Sequence, residues 1–329
     1  MKAPFYGWIV VGCAFVVLFL TYGVQYSFGV FVPAMVDDLG WQRASLGGAF
    51  SLYSLVYTGF SLLSGRLTDT LGPRRGIGLG GILLGLGIMA TSQITAQWQL
   101  YIAYGIVAAL GMSTAYIPCN MTVVRWFHRK RGLALGVASC GASCGILAVP
   151  MLASYMIAHA GWRVGLLVLG ASMFVLINVV ARFMVRGPEM KGLLPDGATD
   201  ASLTDGHDGA PVPDEADGWT LRQARKTVTL WMFLLAFAVV LLTVTVPFVH
   251  MPFFARDIGL SAMGGAMAVS VTGLFALLGS IVLGALSDRI GRKAAMVLAL
   301  SLQLAAFLIF VVANGSVVLY VGAAAFGFF

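Results

Sequence analysis

Long apolar stretches separated by short polar loops form most of this chain. Because a helix needs about 20 mostly apolar residues to cross a bilayer, each stretch of that length predicts a membrane span. Such stretches lie at residues 8–32, 46–64, 76–94, 98–124, 132–158, 164–185, 230–254, 262–283, 294–313 and 317–329. The last stretch starts at Val317 and stops with the sequence at Phe329, which is too short to span. We therefore expect a fragment of a longer, helical membrane protein.

Composition and charge agree with this picture and add an orientation. The 329 residues are 59% hydrophobic and 10% charged, whereas soluble domains carry about 25% charged residues. All but three of the 20 lysines and arginines fall at one end of the predicted helices; the exceptions are Arg43, Arg163 and Arg256. The positive-inside rule then predicts a cytoplasmic N-terminus. The net charge of +7 thus reflects the orientation in the membrane and does not indicate binding to nucleic acid. We expect a multi-pass protein of the bacterial inner membrane.

One long polar segment divides the chain. Residues 187–229 hold four prolines and many acidic residues, which is typical of a flexible linker. The sequence therefore predicts a six-helix half at residues 1–186, a cytoplasmic linker at 187–229, and an incomplete second half at 230–329 with about helices 7–10.

A motif recurs in the two halves. The pattern G-x-L-x-D-x-x-G runs from Gly65 to Gly72 after the second span and from Gly284 to Gly291 after the eighth, and basic residues follow each copy. A repeat at matching positions of two helical halves is a feature of transporters.

This motif resembles the loop between helices 2 and 3 of the major facilitator superfamily and its echo between helices 8 and 9. The resemblance implies the all-α major facilitator fold, two six-helix halves of which about ten of twelve helices are present. In that family the aspartate binds the N-terminus of a helix in the other half and holds one conformation, as an anion at a helix N-terminus can. By this resemblance a conformational latch comprises Gly65, Asp69, Arg74, Arg75, Gly284, Asp288 and Arg292.

Further segments resemble one branch, the monocarboxylate porters with the oxalate/formate antiporters. They are Tyr6-Gly-Trp8, the stretch from Asp38 to Ser45, and the stretch from Arg125 to Gly136. The resemblance implies a secondary active transporter of a small, monocarboxylate-like organic anion, working by alternating access as a symporter or antiporter.

Two departures keep other functions open. Animal members of the branch have a lysine in helix 1 where this chain has Tyr26, and members often have an arginine in helix 8 where it has about Ser280. No acidic residue lies in the middle of a predicted span. A facilitator or exporter of neutral or amphipathic molecules, or a transporter-like sensor or receptor, therefore stays an alternative.

Candidate site residues are the polar ones near the bilayer midplane, where transporters bind substrate. They are Tyr22, Gln25, Tyr26, Tyr53, Tyr57, Tyr116 and Asn120. Each tyrosine could instead be a packing aromatic, and each amide could make an interhelical hydrogen bond. Arg125, at the end of the fourth span, is a candidate for gating or for attracting an anion, or a plain topology charge.

No residue pattern indicates an enzyme, a metal site or a cofactor. The four cysteines, Cys13, Cys119, Cys140 and Cys144, lie in apolar stretches and are predicted to be small packing residues. The expected partners are the lipid bilayer and a small-molecule substrate with a coupled proton or an exchanged anion, and we expect a monomer.

Overall fold

The computed structural model describes residues 5–128, 130–197, 223, 225–312 and 315–328. Within these ranges the regular structure is helical and includes no strand. Most of the predicted linker at 187–229 lies outside the described residues, so its boundaries stay a prediction.

Within its described residues the first half contains six long helices. They are α1 (Tyr6–Leu39), α2 (Arg43–Leu71), α3 (Pro73–Thr91) and α4 (Gln97–Trp126), followed by a helical run over Arg131–Ala181. Gly161 interrupts that run because its φ of 82° and ψ of 163° are not helical. We therefore treat residues 131–160 as α5 and residues 162–181 as α6.

The second half, as far as the described residues show it, contains four helices. They are α7 (Val228–Asp257), α8 (Ala262–Ile290), α9 (Arg292–Val311) and α10 (Ser316–Phe328). Each of the ten predicted apolar stretches thus corresponds to one helix. By length and composition, the described helical ranges able to cross a membrane are Tyr6–Leu39, Gln97–Trp126, Arg131–Ala181, Ala262–Ser280 and Lys293–Val311.

Several helices extend beyond the predicted apolar stretch. Helix α1 continues past residue 32 to Leu39 and ends where Gly40, with φ of 66°, donates its N–H to the Val36 carbonyl. The difference arises because backbone hydrogen bonds set a helix end, whereas apolarity reports only the part inside the bilayer. The extra turns carry Asp37 and Asp38 out of the apolar stretch.

Successive helices run in opposite directions, so the bundle has two distinct ends. At one end Tyr6 Oη donates to the Phe183 carbonyl at 3.0 Å, and Trp126 Nε1 donates to the Val185 carbonyl at 2.9 Å. We call this the basic end, since most of the lysines and arginines lie there. The opposite end, which contains Gly40 and Gly161, is named the ion-pair end after the contacts described below.

The two copies of the repeated motif finish with the same backbone conformation. Gly72 has φ of 79° and ψ of 158°, and Gly291 has φ of 86° and ψ of 151°. Positive φ is strained for residues with a Cβ, so glycine is favoured at both places. Each glycine directly precedes the next helix, α3 or α9, which gives the two halves equivalent turns.

Glycines also bring helices α3 and α6 into backbone contact. A Cβ at Gly85 would lie 2.9 Å from the carbonyl oxygen of Gly170, and a Cβ at Gly170 would lie 2.9 Å from that of Gly85. Close backbone approach through small residues is how helices associate tightly in lipid. The pair of glycines therefore fixes how α6 packs on α3.

The hydrophobic core forms two clusters, and each cluster includes residues from the other half. The larger cluster belongs mainly to α1–α6 but includes Val249, Phe253 and Ala266 of the second half. The smaller cluster belongs to α7–α10 but includes Ile146 of α5. The two halves therefore meet through α1 and α5 on one side and through α7 and α8 on the other.

Candidate functional site

Four of the predicted tyrosines form one cluster between α1, α2 and α4. The hydroxyls of Tyr22 and Tyr57 lie 3.3 Å apart, within hydrogen-bond distance. The Tyr22 ring lies 6.1 Å from that of Tyr26 and 6.1 Å from that of Tyr116 in an edge-on arrangement. We call these four side chains the tyrosine cluster. It combines apolar ring faces with hydroxyls that can donate to a substrate oxygen.

Tyr53, the fifth predicted tyrosine, lies deeper in the first half. Its side chain is 1% exposed. It stacks on Tyr104 with ring centroids 4.7 Å apart, and Tyr104 in turn stacks on Phe28 at 4.1 Å. Tyr53 also stacks on Tyr57 with ring centroids 6.4 Å apart, so this aromatic stack adjoins the tyrosine cluster. A direct role of Tyr53 in substrate binding stays a prediction.

Both predicted amides have a buried oxygen without a protein partner. Among the described residues, Gln25 Oε1 and Asn120 Oδ1 accept no hydrogen bond. Burying an unpaired polar group costs free energy, about 1–3 kcal/mol in protein mutational data. Interhelical hydrogen bonding, the alternative explanation for these two residues, therefore does not account for these oxygens. Both can accept a hydrogen bond from a ligand hydroxyl or from a protonated carboxyl group.

Asn120 and Tyr116 line a cavity between α4 and α5 that extends to the arginines of the basic end. Its volume is about 500 Å³, and its wall also contains Arg125, Arg131 and Ser139. Arg125 lies in the last turn of α4, and Arg131 is the first residue of α5. A guanidinium group binds carboxylates through paired hydrogen bonds. The cavity therefore joins a cationic entrance to the deeper hydroxyl and amide groups.

Ion pairs join the two halves at the opposite end of the bundle. Arg43 Nη1 and Nη2 donate to the Asp257 carboxylate at 3.1 and 3.2 Å. Arg256 Nη1 donates to the Asp37 carboxylate at 2.9 and 3.1 Å. Since Asp37 and Arg43 belong to the first half and Arg256 and Asp257 to the second, both pairs join the halves. Exposed pairs like these contribute about 0.2–1 kcal/mol each.

Hydrogen bonding shifts the pKa of both members of the Arg43–Asp257 pair. The two residues lie outside the predicted spans 46–64 and 230–254. The hydrogen bond from Arg43 lowers the pKa of Asp257 below its ordinary 3.8. The same hydrogen bond raises the pKa of Arg43. The pair is therefore ionised throughout the neutral and mildly acidic range.

Below the ion pairs α1 of the first half packs directly on α7 of the second half. The rings of Tyr26 and Phe248 have centroids 4.0 Å apart. A Cβ at Gly29 would collide with the carbonyl oxygen of Phe248. Helix α1 therefore contacts the backbone of α7 directly, and the tyrosine cluster is covered on the side of the ion-pair end. The cavity at Asn120 extends towards the basic end.

Parts of the predicted site lie elsewhere or outside the described residues. The structure does not describe the side chains of Asp69, Asp288 and Arg292 or the surroundings of Gly284. The conformational latch therefore stays a prediction. Arg74 and Arg75 lie in the first turn of α3, and Gly65 lies in α2. No cluster of three or more metal-ligating side chains is found within the described ranges.

Sequence reasoning missed the ion pairs because it counted the basic residues of that end only as exceptions to the charge bias. The signal was present, since the loops of that end hold three aspartates as well as three arginines. Equal numbers of opposite charges at one end indicate pairing. The pairs are Arg43–Asp257, Arg256–Asp37 and Arg163–Asp38.

Comparison with known proteins decides the family. The sequence profile of the Major Facilitator Superfamily matches residues 14–329. The chain belongs to the Major Facilitator Superfamily. This member is therefore an integral multi-pass membrane transporter of a small molecule and not an enzyme.

Relatives within the Major Facilitator Superfamily include monocarboxylate transporters. The chain is 28% identical over 328 residues to Monocarboxylate transporter 13 of Rattus norvegicus, covering 98% of this chain and 71% of the relative. It is 28% identical over 292 residues to the MFS-type transporter pytF of Aspergillus terreus, covering 88% of this chain and 91% of the relative.

Solved structures of transporters share this superfamily fold. A bacterial homolog of the human lysosomal transporter Spinster superposes with a TM-score of 0.73 at 15% identity, covering 99% of this chain and 74% of that one. The D-xylose-proton symporter superposes with a TM-score of 0.68 at 14% identity, covering 98% of this chain and 80% of that one. At these identities the likeness concerns the fold.

Proposed function

We propose that this transporter carries a small organic anion of the monocarboxylate class by alternating access. The observation that carries the proposal is the cavity at the basic end, where Arg125 and Arg131 stand at the wall that also holds Tyr116 and Asn120. A carboxylate would bind the guanidinium groups, and the remainder of the molecule would lie against the aromatic rings. The relatives named monocarboxylate transporters support the same substrate class.

Alternating access is supported by the asymmetry of the two ends. Two ion pairs hold the halves together at the ion-pair end, whereas the cavity extends to the arginines of the basic end. In this proposal the halves at residues 1–186 and 230–329 rock about the tyrosine cluster, and opening the other side requires breaking both pairs. Asp69 and Asp288 would then stabilise the alternative state by binding helix N-termini.

The topology completes the proposal. We propose that the basic end and the N-terminus face the cytoplasm, since cytoplasmic loops carry an excess of lysine and arginine. The protein would then lie in the inner membrane of a bacterium as a monomer, with a proton or a second anion as the coupled species.

A neutral or amphipathic substrate is the second candidate. The tyrosine cluster favours it, because the cluster consists of uncharged side chains from α1, α2 and α4. Such a substrate would bind the rings and hydroxyls and would not require Arg125.

Uptake into proteoliposomes separates the candidates. Purified protein would be tested with labelled lactate, pyruvate and oxalate, with and without a pH gradient. We expect saturable uptake that falls about tenfold or more in Arg125→Gln, since losing a charge-assisted hydrogen bond costs about 1.5–3 kcal/mol. Arg186→Gln is the matched control, because Arg186 is an exposed arginine at the same end, and it does not line the cavity.

Two outcomes would contradict the anion proposal. One is the absence of saturable uptake for every carboxylate, and the other is equal uptake by the Arg125→Gln and Arg186→Gln variants. Binding of a carboxylate without flux would favour a sensor or receptor.

A further inference from the structure

A second basic cavity lies at the periphery of the first half, between α3 and the end of α6. Its volume is about 400 Å³, and Arg74, Arg75 and Arg182 line it together with Leu79 and Ile82. All three arginines are exposed. Within the described residues none of them forms an ion pair, although each is a strong partner for an anion.

A mainly apolar groove, whose lining also includes Arg66, continues from this cavity on the other side of α3. It has a volume of about 610 Å³ between α2, α3 and α4, and it shares Leu79 and Ile82 with the basic cavity. Two of its other lining side chains, Phe60 and Leu63, are 45% and 51% exposed. Leu79 and Ile82 thus form a ridge with one depression on each side.

The depths of these features match the layers of a bilayer leaflet. Arg75 and Ile82 are seven residues apart on α3, which separates them by about 10 Å along the helix axis. A phosphate at the arginines would therefore lie in the headgroup layer, and the ridge would lie among the acyl chains. Basic pockets between helices bind anionic lipid headgroups in this manner.

We propose that this surface of α3 is a binding site for a two-chain anionic phospholipid. The phosphate binds Arg74, Arg75 and Arg182, and the two acyl chains lie on either side of the ridge formed by Leu79 and Ile82. Because these arginines come from α3 and from the end of α6, the bound lipid links the two helices at the basic end. The site is distinct from the cavity at Asn120 and does not depend on the transported substrate.

Native mass spectrometry of the purified chain in detergent tests the site. Phosphatidylglycerol would be added, with phosphatidylcholine and inorganic phosphate as separate comparisons. The neutralised variant is Arg74→Gln/Arg75→Gln/Arg182→Gln, and the charge-retaining variant replaces the same residues by lysine. The matched control Arg186→Gln/Lys191→Gln/Arg225→Gln removes equal charge from exposed residues of the basic end that do not line the cavity.

The expected result is retention of phosphatidylglycerol by the parent chain, the lysine variant and the matched control. Retention should fall about tenfold or more in the neutralised variant, since each basic residue near an anionic lipid surface contributes to binding. Phosphatidylcholine and inorganic phosphate should be retained weakly by all four proteins. Far-UV circular dichroism and size-exclusion elution would verify that each variant is folded.

Three results would overturn the proposal. One is equal loss of phosphatidylglycerol in the matched control and the neutralised variant, which would indicate general charge attraction. Another is retention of inorganic phosphate as strong as that of the lipid, which would indicate a free-anion site. The third is unchanged lipid retention after neutralisation.

Discussion

Arg43 at the start of α2 and Asp257 at the end of α7 are joined by two nearly parallel hydrogen bonds of 3.1 and 3.2 Å across the boundary between the halves. The Arg43 guanidinium also lies over the Phe253 ring, 4.4 Å from its centroid. One side chain of the first half therefore binds both a carboxylate and an aromatic ring of the second. Opening the ion-pair end must break both contacts.

Removing this pair should make the interface between the halves more accessible. Val249 is 6% exposed and packs in the core cluster shared by the two halves. In a background without the native cysteines, thiol labelling of Val249→Cys should accelerate when Asp257→Asn is added. The increase should be up to about fivefold, because an exposed pair contributes about 0.2–1 kcal/mol.

Asp38→Asn provides the matched control for that experiment. Asp38 accepts hydrogen bonds from Arg163 at 3.3 Å and from Trp162 at 3.1 Å, both within the first half. Its removal should lower stability without changing the labelling of Val249→Cys. Equal acceleration by the two substitutions would show that the inter-half pair has no special part in closure.

The contribution of the Arg43–Asp257 pair to stability should depend on pH only in acid. Because Arg43 lowers the pKa of Asp257 below 3.8, this stabilisation is fully present above the unfolded value and is lost as pH falls through the folded one. The difference in thermal midpoint between the parent and the Asp257→Asn variant should be constant from about pH 7 to about pH 5 and should shrink below about pH 4. If the difference in thermal midpoint disappeared near neutral pH, the lowered pKa of Asp257 would be contradicted.

Gly29 should be intolerant of a side chain, unlike Gly12 on the same helix. A Cβ at Gly29 meets the Phe248 backbone, whereas a Cβ at Gly12 has no atom of another segment within 4 Å. We expect Gly29→Ala to destabilise the protein by about 1–3 kcal/mol through overpacking and to reduce transport. Gly12→Ala should be neutral or stabilising by up to about 1 kcal/mol. Thermal unfolding and uptake measure the two effects. Equal changes in both variants would refute the close approach of the halves at Gly29.

Gln25 and Gln303 are equally buried, each 6% exposed, but differ in their partners. Gln303 Nε2 donates to Thr243 Oγ1 at 2.8 Å, whereas Gln25 Oε1 has no partner among the described residues. Gln303→Leu should therefore lower the free energy of unfolding by about 0.5–1.5 kcal/mol. Gln25→Leu should leave it unchanged or raise it while reducing uptake, which is expected where a polar group is retained for substrate binding. A destabilising Gln25→Leu with normal uptake would indicate a structural role.

The proposed orientation can be tested by cysteine accessibility in whole cells. Gln42 is exposed at the ion-pair end, and Arg186 is exposed at the basic end. A membrane-impermeant thiol reagent should label Gln42→Cys in intact cells and Arg186→Cys only after permeabilisation. The reverse pattern would invert the topology.

The amino-acid sequence by itself determined the helices and their alternation, because crossing a bilayer requires long apolar stretches and self-satisfied backbone hydrogen bonds. It also revealed the repeat, because the pattern G-x-L-x-D-x-x-G follows both the second and the eighth apolar stretch. Pairs three or four residues apart, such as Tyr22 with Gln25, could be placed on one helix face from spacing alone.

Only the tertiary structure decided which of these faces meet. The contact between the Tyr22 and Tyr57 hydroxyls, the stacking of Tyr53 on Tyr104, and the Arg43–Asp257 pair all join residues of different helices. A helical pattern specifies which residues share a face, but it does not specify the rotation of that helix about its axis relative to its neighbours. That rotation depends on the packing of small residues and side chains between helices, and it decides which polar positions of different helices lie together.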